Sequence, residues 1–143
     1  MFDFQALNWW AILVSTIVCI RSGSLWFNPH SFFNVFGRGQ PNTDLTVYRP
    51  NTPPNMVLLI TFTVITSFLM PLFMSLMIFA LYPFESTWSD GVVVGFVLWM
   101  GFVAPPYLVN NFFGGHGFKV WIIETANHLL NFLVLGAILG AWR

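Results

Sequence analysis

Residues 56–82 read MVLLITFTVITSFLMPLFMSLMIFALY, a run of 27 residues without one charged side chain. At about 1.5 Å of helical rise per residue, that run is long enough to cross a hydrocarbon core roughly 30 Å thick, with length left for tilt. Pro71 stands near its middle and is expected to bend it, because proline removes a backbone hydrogen bond. Working outward, three further apolar stretches cover about 8–27, 91–109 and 118–142. The expected fold is all-α: a single membrane domain over residues 1–143, built as an integral membrane bundle of four transmembrane helices. The pair Pro105-Pro106 is expected to break the third helix before its end.

Composition agrees with lipid as the main solvent. Hydrophobic residues make up 57% of the chain and charged residues 7%, with a mean hydropathy of +0.74. A soluble domain would carry roughly 25% charged residues. Five basic and five acidic side chains leave no net charge. No basic stripe offers itself to nucleic acid, and no polybasic segment to anionic lipid. Cys19 is the single cysteine, so an intrachain disulfide is excluded, and it reads as a packed small hydrophobe.

The first stretch lacks the basic start of a cleaved signal and continues through Arg21 and Trp26, so it is expected to be a retained helix ended by Asn28-Pro29. The connection from Asn28 to Asn55 opens with HSFFNVFG, aromatic enough for the interface, and continues as an irregular loop. Trp9, Trp10, Trp26, Trp88, Trp121 and Trp142 fall near span ends, as interfacial anchors do. Four crossings put the first and third connections on one side, with Arg38, Arg49 and Lys119, against Arg143 on the other. The positive-inside rule therefore expects both termini on the non-cytoplasmic side.

A polar layer interrupts the apolar spans. Arg21 lies about six residues before the end of the first span and Glu124 about six after the start of the fourth, each roughly 9 Å deep from the same side. Charges at such depth pair or face a cavity, so an Arg21–Glu124 ion pair is expected. Glu124, His128 and Asn131 share one helical face, with Asn127 beside them. Thr61 and Thr63 enter the second helix at similar depth, and the Pro105-Pro106 pair deprives the carbonyls of Gly101 and Phe102 of their partners. These groups form a candidate ligand or ion site. Against that stands a plainer role, interhelical hydrogen bonding at about 0.6 kcal/mol per group.

Other chemistry is thinner. Glu124-x-x-x-His128 has the spacing of two metal ligands, but catalytic zinc takes three, and only the connection residues His30 and His116 lie on the same side. No metal or cofactor is expected. Gly136-x-x-x-Gly140 permits close helix packing, within the bundle or across a homodimer. No nucleophile with an activating base, and no complete acid/base pair at the interface, can be read from the spacing.

The segments NWWAILVSTIV (8–18), SGSLWFNP (22–29) followed by FG, LWMGFVAPPYLVNNFF (98–113) and WIIETANHLLNFLVLGAILGAW (121–142) together resemble one family of small, mostly bacterial membrane proteins, the domain of unknown function 1761. The resemblance covers nearly the whole chain. It implies the four-helix architecture and no activity, cofactor or catalytic residue. Two function classes follow. One is a non-catalytic accessory or scaffold component, with lipid, other membrane subunits or a second copy as partners. The other is a proton- or cation-coupled carrier, or a lipid-ligand protein, using Arg21, Glu124, His128, Asn127 and Asn131.

Overall fold

The computed structural model describes residues 4, 7–27 and 55–142. The expected first connection, with Arg38, Arg49, His30 and the HSFFNVFG segment, lies outside the described residues, as does Arg143. Helix α1 spans Trp9–Trp26, α2 Met56–Leu81 and α3 Trp88–Leu98. A π-helical turn, Trp99–Val103, joins α3 to α4 at Ala104–Phe113, and α5 spans Gly117–Ala141. Every described element is helical. Trp88–Phe113 counts as one span, so four helices are long and apolar enough to cross a membrane.

Local sequence sets the ends. Asn8 caps α1 by accepting from the amides of Trp10 and Ala11 at 3.1 and 3.2 Å. Asn55 does the same for α2. At α3, Thr87 and Asp90 form a reciprocal capping box, which starts the third span three residues earlier than its apolar pattern indicates. Gly115, in the turn before α5, and Gly117, its first residue, carry φ of 71° and 79°, a region that favours glycine.

The bundle is organised around α5, which packs against α1, α2, α3 and α4. Its tightest partner is α3. A methyl built on Gly91 would strike the carbonyl of Gly136, and one on Gly136 the carbonyl of Gly91. Gly95 stands equally close to the carbonyl of Phe132, and Gly140 to that of Thr87. Gly136-x-x-x-Gly140 is thus matched inside the chain by Gly91-x-x-x-Gly95, and four missing side chains let two backbones meet. Ser86 adds a hydroxyl bond to the carbonyl of Gly140 at 3.0 Å.

The remaining apolar core joins Ile12 of α1, Met74 and Ile78 of α2, Val94 of α3 and Leu135 of α5. Cys19 is buried there, its thiol beside the Ser67 hydroxyl. Helix α2 runs through Pro71 as one helix. Its first half is another matter: every residue from 55 to 66 is exposed, and burial begins at Ser67.

Pro105 and Pro106 do not break the third span. They sit in the first turn of α4, where a missing N–H costs little. The turn before them widens so that the Ala104 amide bonds to the carbonyl of Trp99, five residues back. A wider turn gives the proline rings room past carbonyls they would strike in a regular α-helix.

Candidate functional site

The polar layer exists, but α4 and α5 build most of it. Asn111 of α4, 3% exposed, donates to Glu124 Oε2 at 2.7 Å and to the Tyr107 carbonyl at 3.0 Å. One turn deeper, His128 Nε2 lies 3.1 Å from the Tyr107 hydroxyl, with the two rings 5.0 Å apart. Asn131 donates to Asn127 Oδ1 at 2.8 Å, and both side chains are 4% exposed. Tyr107 and Asn111 are therefore site residues that the sequence reading missed. Their i, i+4 spacing directly after the proline pair is the signal that marks them as one helical face.

Three indoles complete the layer. Trp26 of α1 donates to the carbonyl of Ile123 at 3.1 Å, and Trp99 of the π-turn donates to that of Thr125 at 2.9 Å. Trp121 of α5 reaches across to the carbonyl of Ala104 at 3.0 Å. Trp26 and Trp121 thus do more than anchor at the interface, whereas Trp9, Trp10, Trp88 and Trp142 are exposed near helix ends.

Arg21 and Glu124 form no ion pair; among the described residues there is no salt bridge. Residue count along each span puts them at a similar depth, but the Trp26–Ile123 bond sets Arg21 level with His128, about 6 Å deeper than Glu124, and azimuth separates them further. At 100° per residue, Arg21 points about 180° away from the fully buried Ile12 on α1. Thr61 and Thr63 are likewise absent from the layer, exposed on the outward half of α2, with the Thr63 hydroxyl returned to the carbonyl of Leu59. Among the described residues no three His, Cys, Asp or Glu side chains gather to hold a metal.

Four buried polar atoms have no hydrogen-bond partner among the described residues: Asn111 Oδ1, Asn127 Nδ2, Ser15 Oγ and Ser22 Oγ. Two larger hollows lie nearby. One, about 460 Å³, is an open groove between α1 and α5 that includes Arg21, Ser22 and Asn131. The other, about 350 Å³ and apolar, lies between α2, the third span and Phe132. Neither is lined by Glu124, His128, Tyr107 or Asn111.

Four apolar spans with paired polar groups at membrane depth define the class, a multi-pass membrane protein of the four-helix type. The chain belongs to the family described as protein of unknown function (DUF1761), whose model matches residues 10–140. No curated protein and no solved structure matches it.

Proposed function

We propose that the protein is a non-catalytic accessory or scaffold component of a membrane assembly, in which the polar layer fastens helices to one another. The observation that carries this reading is the pairing itself. Glu124 and His128 of α5 each have a side-chain partner on α4, whereas the Asn131–Asn127 bond lies within α5. Three indoles fasten α1, the π-turn and α4 to α5 through main-chain carbonyls. Such bonds join helices where lipid offers no competing donor. The exposed half of α2 supports the accessory role, because it leaves about 18 Å of helix free to meet another subunit.

The orientation belongs to the same proposal. Both termini face the non-cytoplasmic side, and Lys119, Arg38 and Arg49 lie with the cytoplasmic connections, as the positive-inside rule requires.

Glu124→Gln tests the fastening role, since an amide still accepts from Asn111. Unchanged assembly and thermal stability in detergent, with no change in proton or cation flux into proteoliposomes, support it. Flux present in the wild type and lost in this variant, with assembly intact, would establish the coupled carrier in its place.

A further inference from the structure

The groove between α1 and α5 has a polarity that the fastening role does not use. Ile17, Val18, Leu130 and Val134 form apolar walls, and Arg21 and Ser22 stand toward the end where Trp26 meets Ile123. That Trp26–Ile123 bond fixes the register of two antiparallel helices. Counting inward from it, Ser22 lies level with Asn127, Arg21 with His128 and Val18 with Asn131. Arg21 is then about 8 Å below the end of α1, and Val134 about 16 Å below Ile123. The groove thus runs from a cation near the interface to aliphatic side chains near the bilayer centre.

Among the described residues nothing compensates its charge. Arg21 is exposed, and no carboxylate among the described residues pairs with it. A guanidinium at this depth reaches toward the interface along its own aliphatic stem or finds an anion there. Ser22, next in sequence to Arg21, also lines the groove, and its Oγ has no hydrogen-bond partner among the described residues. Leu130 and Val134 lie about 80–120° round α5 from Glu124, while Asn131, at the inner edge of the groove, lies only about 20° from it.

We propose that this groove binds one anionic glycerophospholipid, with its phosphate on the Arg21 guanidinium and the upper part of one acyl chain against Ile17, Val18, Leu130 and Val134. A phosphate supplies the charge that Arg21 lacks, in bidentate geometry suited to guanidinium. The groove shares Trp26 and Asn131 with the polar layer, but Arg21, on which the proposal rests, takes no part in the fastening.

The test uses full-length protein in phosphatidylcholine nanodiscs containing a minor share of phosphatidylglycerol, transferred to mild detergent. Native mass spectrometry then counts the lipids retained. The wild type is expected to keep phosphatidylglycerol above its bilayer share, and Arg21→Gln to lower that enrichment about fivefold. Arg21→Lys should preserve most of it. Val134→Trp keeps the charge but fills the groove, and should abolish the enrichment as well. Retention at the bilayer share in the wild type, or unchanged enrichment in Arg21→Gln, overturns the site. Loss in Arg21→Gln with full retention in Val134→Trp overturns it too, because the lipid would then lie outside the groove. Should Arg21→Gln fail to assemble, Val134→Trp and Leu130→Trp decide with Arg21 intact.

Discussion

Asn111 is the side chain on which the polar layer turns, because it alone links the carboxylate of α5 to α4. Asn111→Leu removes that donor and should lower stability by about 1 kcal/mol, above the mean of about 0.6 kcal/mol for intramembrane hydrogen bonds. Tyr107→Phe keeps the ring contact with His128 and loses only the hydroxyl, so about 0.6 kcal/mol is expected. Reversible unfolding in mixed micelles measures both, and a Tyr107→Phe loss larger than that of Asn111→Leu would reverse their ranking. The members of this layer on α5 were legible from sequence, since Glu124, His128 and Asn131 recur on one face. Asn127, the partner of Asn131, was legible beside them, but Asn111 and Tyr107 on α4 were not. Depth along a helix can be counted from residue number, but which way α1 turns Arg21 depends on where α1 is buried. The sequence count therefore placed a cation and a carboxylate at one level, whereas the Trp26–Ile123 register sets them about 6 Å apart and the helices turn them in different directions.

At the scale of elements, the glycine seam between α3 and α5 should be the least tolerant feature of the fold. Gly91→Val or Gly136→Val drives a side chain into a facing carbonyl, and separating two helices to relieve it should cost about 3 kcal/mol. Gly101 and Gly23 meet nothing within 4 Å, so Gly101→Ala should be near neutral. Melting temperatures of the purified variants check the contrast, and equal losses at Gly91 and Gly101 would show that the seam does not hold the bundle. The four spans themselves were legible because apolar length is a direct signal of crossing. The pairing of the two Gly-x-x-x-Gly segments was not, although both can be seen in the sequence, because small residues permit an approach without naming the partner. The proline pair misled for a related reason. It forbids a regular α-turn, but a π-turn at Trp99–Val103 meets the same steric demand without ending the span.

At the scale of the molecule, charge distribution predicts topology. A reporter fused after Lys119 should be cytoplasmic, and reversing the charge of Arg38, Arg49 and Lys119 together should raise the fraction of inverted protein. Protease protection of the fusions in sealed vesicles gives the answer, and a reporter found outside would reverse the proposed orientation. Helix α5 touches every other described helix, and it also follows all of them in the chain. Synthesis therefore runs opposite to packing: the partner shared by all emerges from the ribosome only after the helices it joins. Until it inserts, α1 and α2 occupy the bilayer without the surface they will share, and the Trp26 indole has no Ile123 carbonyl to meet. The interval between insertion of the second and fourth spans is thus a vulnerable stage of biogenesis, when a membrane chaperone or quality-control protease would encounter the chain half assembled.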